Sequence, residues 1–417
     1  MAEPLKAPTG VRDILAPESA RWQDLVNRFA GAANAGGYGL VIGPMFEDLA
    51  VFQRMGEETD VVRKEMYVFE DRGGRQLALR PEGTAGVVRA FVQHHPPIPW
   101  KAWYLATNFR YERPQAGRYR QHHQLGIEVL GTDDPDVDVE VISIASDVIA
   151  GIGLTRYALL VNSLGDGACR PDYDQALLEH VLARRDELCD EHQERAAENP
   201  MRVLDCKRKR CRDATRDAPR ITDHLCEACK AHFDRVQEGL SALDIDFAIE
   251  PRLVRGLDYY TRTTFEFQHN EIEAAQSTIC GGGRYNGLVE ALGGPPTPGI
   301  GFGMGVERVL LAADSEGVFT PAEHRVDVFV VDVTGGAAAR DITAELRRAG
   351  IRADRAFSTG TTNRSMKSQM KLADKSGAAH VVIVGEDEAA ADEVTLRDLT
   401  TSEQRRVGRG DLLAALR

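Results

Sequence analysis

Residues 108–128, Asn-Phe-Arg-Tyr-Glu-Arg-Pro-Gln-Ala-Gly-Arg-Tyr-Arg-Gln-His-His-Gln-Leu-Gly-Ile-Glu, constrain the fold more than any other stretch. Read with a period of two, they predict two strands joined by a turn that carries Pro114 and Gly117. Arg110 and Glu112 share a face of the first strand. On the second, Leu125, Ile127 and Val129 take one face, while His122, Gln124, Gly126 and Glu128 take the other. One side of the hairpin is therefore core. The other sets a guanidinium, carboxylates and an amide side by side, with Gly126 leaving room above them. Arg113, Arg118 and Arg120 lie between the strands. Arginine beside glutamate under a basic loop suits a ligand with both phosphates and a cationic group. A solvated hairpin with surface ion pairs fits less well, because an exposed face has no need of so many polar types beside a glycine.

The chain has 417 residues, 43% of them hydrophobic and 28% charged, enough for two or three soluble domains. No apolar stretch reaches membrane-spanning length, and the start has no apolar signal core. Seven sparse cysteines suit a reducing cytoplasm rather than a disulfide framework. A net charge of −13 argues against nonspecific coating of DNA. From Val326 onward there are 14 Lys+Arg and 14 Asp+Glu, so the whole excess, 37 against 50, lies in residues 1–325. Within the neutral segment, Arg347, Arg348, Arg352, Arg355, Arg364, Lys367, Lys371 and Lys375 face only Asp354 and Asp374, a basic patch on an acidic protein.

Three divisions follow. Residues 1–165 alternate helix and strand patterns, beginning with a helix over Glu18–Ala35 whose stripe is Trp22, Leu25, Val26, Phe29 and Ala33. A strand then runs from Gly39 to Ile42, ended by Gly43-Pro44. Residues 168–248 are charge-dense and helical, an insertion unlike either flank. Ordered patterning resumes at Ile249. After His324, the buried strand from Val326 opens alternating strands and helices, a small α/β domain spanning 326–417.

Other constellations carry chemistry. Leu79-Arg-Pro-Glu-Gly-Thr-Ala-Gly ends a strand and opens a helix, so Glu82 can grip an ammonium group beside the free helix N–H groups near Thr84. An ordinary helix start with an acidic first turn is the plainer alternative. In Arg255-Gly-Leu-Asp-Tyr-Tyr-Thr-Arg, adjacent tyrosines on a strand would face opposite sides, one packing and one offering its hydroxyl. In Gly299–Leu311, glycines at 299, 301, 303 and 305 would let a flat ligand approach a strand backbone, with Arg308 in the next helix. No Gly-Lys-Ser/Thr follows, and there is no dinucleotide fingerprint.

The segment ending Gly43-Pro-Met-Phe-Glu47, the Phe-Arg-Tyr-Glu-Arg-Pro hairpin and Gly-Met-Gly-Val-Glu-Arg308 resemble the three motifs of class II aminoacyl-tRNA synthetases. More narrowly, Arg255-Gly-Leu-Asp-Tyr-Tyr260 and Cys280-Gly-Gly-Gly-Arg-Tyr-Asn-Gly287 resemble segments peculiar to the histidyl-tRNA synthetase family. The resemblance runs from Gly10 to the C-terminal domain. It implies an α+β fold: a catalytic domain on an antiparallel sheet over 1–325, and a C-terminal α/β anticodon-binding domain. It also implies ATP with Mg2+, L-histidine and tRNA-His as substrates, a homodimer and a cytoplasmic location, with no membrane or DNA partner.

Carried over residue by residue, the resemblance makes Arg110, Arg255 and Arg308 catalytic, with Arg110 and Arg255 on the α-phosphate and Arg308 on the terminal phosphate. Arg110, Glu112, Arg118, His122 and Arg308 would form the ATP set. Glu82, Thr84 and Gln124 would hold the α-amino group, Glu128 and Tyr260 the two imidazole nitrogens, and Gly83 and Tyr259 would complete the histidine pocket. Gln115, Arg364, Lys367 and Lys371 would contact tRNA. His122 departs from the aromatic expected to stack on adenine, although imidazole also stacks.

The insertion holds Cys206-x4-Cys211 and Cys226-x2-Cys229, with His224 and His232 nearby. One structural zinc on the four cysteines is weighed against free buried thiols, and the thiols are favoured. Lys207, Arg208, Lys209, Arg210 and Arg212 suit the tRNA acceptor arm or a solvated helix face equally. In the C-terminal domain, Arg364, Lys367, Lys371 and Lys375 are expected on one helical face, with Met366, Met370 and Ala373 on another. Three rivals are weighed. A silent paralogue regulating ATP phosphoribosyltransferase would lack residues 326–417 and tolerate changes at the arginines. A tRNA-sensing domain of a signalling protein would bring kinase motifs, which are absent. A class II enzyme for another amino acid fits poorly with Glu128 and Tyr259-Tyr260.

Overall fold

The structure, a computed structural model, describes residues 3–56, 61–257, 259–272, 277–320, 326–357 and 364–416. Asp258 of the tyrosine-bearing motif, His324 and the expected boundary at residue 325 lie outside the described residues. The chain forms two compact units, Met1–Thr320 and Pro321–Arg417. Among the described residues no helix is long and apolar enough to cross a membrane.

In the first unit, α1 (Glu18–Ala35) leads into β1 (Gly39–Leu40), β2 (Phe46–Asp48) and α2 (Leu49–Gln53). Strands β3 (Val68–Glu70) and β4 (Gln76–Leu79) precede α3 (Thr84–His94). The long hairpin β5 (Trp100–Phe109) and β6 (Gln121–Leu130) is followed by α4 (Pro135–Gly151) and β7 (Tyr157–Ser163). Next come α5 (Arg170–Ala183), α6 (Asp190–Arg195), α7 (Met201–Asp205), α8 (Lys209–Ala214) and α9 (Glu227–Ala242). The unit closes with β8 (Ala248–Ile249), β9 (Thr261–His269), β10 (Thr278–Arg284), α10 (Leu288–Ala291), β11 (Gly299–Gly305) and α11 (Val306–Glu316).

Eight strands form one sheet in the order β1-β5-β6-β11-β10-β9-β7-β8. The six central strands pair antiparallel, and the short edge strands β1 and β8 add parallel. Period-two alternation puts Leu125, Ile127 and Val129 of β6 into a core with Phe302, Phe265, Phe267 and α4. Helix α1 covers this core with Leu25, Phe29 and Ala33, which recur every four residues on one face. Arg21 lies on that same face and is buried too. It is tolerated because its guanidinium donates to Asp314 at 2.5 Å and to the Leu310 carbonyl at 3.0 Å.

The sheet is tied to α4 by a buried charge cluster. Arg284, at the end of β10, and Asp138 are both fully buried and meet through bonds of 2.7–2.9 Å. The same guanidinium donates to the carbonyls of Thr132 and Asp134, so none of its charge is left without a partner.

The second unit holds β12 (Val328–Asp332), α12 (Ala337–Arg348), β13 (Ala353–Arg355), α13 (Met366–Ser376) and β14 (His380–Val384). A helix α14 (Glu386–Ala391) then leads to β15 (Glu393–Asp398), β16 (Gln404–Gly408) and α15 (Leu412–Ala415). Its sheet runs β13-β12-β14-β15-β16, with the first three strands parallel and the last two antiparallel. Sequence reading covers the parallel half and misses β15 and β16, whose mixed polar composition lacks a buried-strand signature.

Candidate active site

The face of the sheet opposite α1 carries a cavity of about 180 Å³ over β6, β10 and β11. Its lining includes Arg110, Arg118, Arg255 and Arg308, together with Glu112, His122 and Gln124. Backbone carbonyls hold two of the arginines and carboxylates the other two. Arg110 Nε donates to the Pro81 carbonyl at 2.9 Å, and Arg308, in the first turn of α11, donates to the carbonyls of Gly117 and Thr278 at 3.2 and 3.1 Å. Arg118 is ion-paired with Glu112, and Arg255 with Glu266. Burial, together with Arg110 and Arg118, pushes Arg308 below the usual guanidinium range. Burial and the same cations push the His122 imidazole well down, so it stays neutral. Several guanidiniums crowded with too few carboxylates form a site for a polyanion.

A second compartment is built around Glu128, which is fully buried on β6. It accepts hydrogen bonds from the hydroxyls of Tyr285 at 2.5 Å, Thr84 at 2.7 Å and Tyr104 at 3.2 Å. Desolvation outweighs these donors and pushes the carboxyl up to about 8. Glu82 caps α3, accepting from the N–H groups of Thr84 at 2.8 Å and Ala85 at 2.7 Å. Burial raises its pKa against those donors and Arg110. Gln124 accepts from the Asn108 amide at 2.7 Å. Tyr260 is buried, with Arg255 over its ring at 5.6 Å from the centroid.

Several sequence expectations are corrected. Strand β5 ends at Phe109, so Arg110 and Glu112 do not share a strand face; the Tyr111 N–H leaves the hairpin to bond the Glu65 carbonyl at 2.6 Å. The space beside Gly126 is filled by the Tyr104 ring, its cross-strand partner, rather than left for a ligand. Gly83 likewise makes room for Tyr104. Gly299 makes room for Tyr285 and Gly301 for the Glu128 carboxylate, so of the four glycines in β11 only Gly303 and Gly305 line the cavity. Tyr259 and Tyr260 precede β9 and do not face opposite sides: their rings lie 4.6 Å apart.

The sequence reading missed Tyr104 and Tyr285 as members of the pocket. The register signal was present in Gly126, which lies opposite Tyr104, and in Gly299, next to Tyr285. A glycine facing a large aromatic across a ladder marks a ring lying over the backbone.

The four cysteines weighed above as one zinc site, against the favoured reading of free thiols, do not converge. Cys206 and Cys211 gather with Cys189 and His192, whereas Cys226 and Cys229 gather with Asp166 and Cys169. His224 lies against Tyr173, and His232 faces Asp138 at 3.2 Å. Gln115 sits in the turn between the hairpin strands, paired with Arg118. In the second unit, Arg364 precedes α13 and donates to the Phe357 carbonyl at 2.8 Å, so it is not on the helical face. Lys367, Lys371 and Lys375 are exposed along α13, while Gln369 and Ala373 are buried on the opposite side.

The chain is similar over nearly its whole length to known proteins. The family model described as histidyl-tRNA synthetase matches residues 10–309, and that described as anticodon binding domain matches 327–417. The histidine–tRNA ligase of Halothermothrix orenii is 45% identical over 406 residues, 96% of either chain. That of Rhodococcus erythropolis is 48% identical over 412 residues, covering 97% of this chain and 96% of its own. The crystal structure of apo S. aureus histidyl-tRNA synthetase superposes with a TM-score of 0.81 at 36% identity, covering 99% of this chain and all of that one.

Proposed function

Because this chain belongs to the histidyl-tRNA synthetase family, we propose that the cavity over β6, β10 and β11 binds ATP and that the Glu128 compartment binds histidine. The activity is histidine–tRNA ligation. A carboxylate oxygen of histidine attacks the α-phosphorus of ATP, the bond to pyrophosphate breaks, and pyrophosphate leaves with that electron pair. A hydroxyl of the terminal tRNA ribose then attacks the histidyl carbonyl, and AMP departs.

The observation that carries the assignment is the juxtaposition of two opposite environments. Arg110, Arg118, Arg255 and Arg308 converge on one cavity, while Glu82 and Glu128 are buried behind it. Arg110 and Arg255 would stabilise charge on the α-phosphate as attack proceeds, with Arg308 on the terminal phosphate. Arg118 and Glu112 would hold the triphosphate and base, and His122, kept neutral, would stack on adenine. Mg2+ brought with ATP would neutralise phosphate charge, and the neighbouring carboxyls of Glu65 and Glu112 would be at hand to hold it.

Glu82, Thr84 and Gln124 would receive the α-amino group, in a pocket bounded by Gly83 and Tyr259. Histidine binding would displace the proton that burial holds on Glu128; of the about four acceptor positions of the carboxylate three are taken, so one remains for an imidazole N–H. Tyr260 would meet the other ring nitrogen. A side chain unable to bond both would leave a buried polar group unpaired, which can reduce reactivity by roughly 10⁴.

Gln115 with Arg364, Lys367 and Lys371 would contact tRNA. The exposed apolar side chains Leu40, Ile42, Phe46, Val68 and Phe69 around β1, β2 and β3 support a homodimer through this surface, and the location would be cytoplasmic. The test is ATP–pyrophosphate exchange with each of the twenty amino acids. Exchange with histidine alone is expected. No exchange from folded protein with magnesium would overturn the assignment of these two compartments.

A further inference from the structure

Six of the seven cysteines gather at two points in the helical insertion, three at each. At the first point, Sγ of Cys189, Cys206 and Cys211 meets a ring nitrogen of His192. At the second, Sγ of Cys169, Cys226 and Cys229 meets a carboxylate oxygen of Asp166. Within each set all four atoms lie within 4.8 Å of one another, and these are the only such groups among the described residues. We propose that the insertion is a two-zinc module, with a Cys3His site at its middle and a Cys3Asp site joining its start to the N-terminus of α9.

The geometry suits tetrahedral zinc. Zn–S bonds of about 2.3 Å place neighbouring ligand atoms roughly 3.5–3.8 Å apart. His192 Nδ1 lies 3.2 Å from Cys189 Sγ and 3.7 Å from Cys211 Sγ, and Asp166 Oδ1 lies 3.7 Å from Cys169 Sγ. Backbone N–H groups already point at the sulfurs: that of Cys189 donates to Cys211 Sγ at 3.3 Å, and that of Asp166 to Cys169 Sγ at 3.2 Å. Gly165, at φ +61°, makes the tight turn that brings Asp166 and Cys169 together, and a side chain there would crowd Cys169 Sγ. Cations lie beside each set. Arg208 is against Cys189, and Arg262 Nη2 is 3.3 Å from Asp166 Oδ2.

Two alternatives fit less well. Three thiols at one point cannot all pair as disulfides. Thiols packed merely as small apolar groups have no reason to bring a histidine nitrogen or a carboxylate to the fourth position.

The module also needs a clasp. Helices α6, α7 and α8 are six, five and six residues long, too short to be stable alone. Their core is small and leans on Val254 and Tyr260 of the catalytic unit. The Cys3Asp ligands tie the start of the insertion to α9: Asp166 and Cys169 follow β7, whereas Cys226 precedes α9 and Cys229 lies in its first turn. A thiolate-rich set of four selects zinc among abundant divalent ions.

The test is elemental analysis of the full-length protein, purified without a chelator or a polyhistidine tag, with Cys206→Ser and Cys226→Ser as variants. Both of these cysteines are only partly buried. About two zinc ions per chain are expected, each variant losing one. Cobalt-substituted wild-type protein should show thiolate-to-cobalt charge transfer and tetrahedral ligand-field bands, a readout that survives even if a variant fails to fold. Metal-free folded protein, a single zinc, or iron in place of zinc would overturn the proposal.

Discussion

Replacing Glu128 by Gln separates the two properties assigned to this residue. Its folded pKa of about 8 exceeds the ordinary 4.5 because burial disfavours the carboxylate. The sign follows from linkage. The folded chain holds the proton more tightly than the unfolded chain, so this group's contribution is fully present below the unfolded pKa. It declines as pH rises and is lost by the time the folded pKa is passed. From those two values, wild-type protein should lose roughly 2–3 kcal/mol between about pH 6 and about pH 9 through this group alone. Gln does not titrate, so E128Q should gain stability relative to wild type over the same interval, whatever its cost at low pH.

Histidine use should move the other way. Leaving a buried imidazole N–H without its partner carboxyl, roughly 1–3 kcal/mol, predicts a fall of roughly 5- to 150-fold in kcat/KM for histidine, with the KM for ATP little changed. Urea melts at the two pH values and histidine-dependent pyrophosphate exchange read both effects. Parallel pH profiles for E128Q and wild type would refute the raised pKa. An unchanged histidine kcat/KM would refute the recognition role.

Asp138→Ala strands the buried Arg284 guanidinium and should cost about 3–5 kcal/mol in a urea melt; a cost below about 1 kcal/mol would mean that the charge finds water. Gly301→Ala drives a methyl group into the Glu128 carboxylate. It should raise the KM for histidine more than that for ATP, and an equal rise in both would point to general distortion instead. Arg308→Ala should lower kcat for pyrophosphate exchange by roughly 10²–10³ while leaving thermal unfolding near wild type; a normal rate would remove Arg308 from the chemistry. Joint replacement of Lys367, Lys371 and Lys375 by Ala should leave pyrophosphate exchange intact. It should weaken aminoacylation and flatten its salt dependence, by about one unit of log–log slope per lost phosphate contact. An unaltered salt slope would take tRNA off this face of α13.

The sequence by itself determined the features that local chemistry writes into neighbouring residues. Helix α1 was legible as Glu18–Ala35 because its apolar residues recur at helical spacing, and the core face of β6 because Leu125, Ile127 and Val129 alternate with polar residues. Ordered motifs also carried the family, and with it the candidate arginines, because residues needed for one chemistry recur in one order along the chain. What sequence could not decide was which distant side chain takes a given space. Gly126, Gly299 and Gly301 looked like openings for a ligand, but ladder register fills them with Tyr104, Tyr285 and Glu128. The stacking of Tyr259 on Tyr260 depends on where β9 begins, and element ends are weakly encoded. Cysteine spacing offers one site of four only as the less favoured alternative to free thiols, whereas folding brings in Asp166, Cys169, Cys189 and His192 and divides the set in two. Periodicity along the chain is a local property of a residue and its near neighbours. Register and helix docking are settled only when the whole core packs, and it is these that place a donor beside its acceptor.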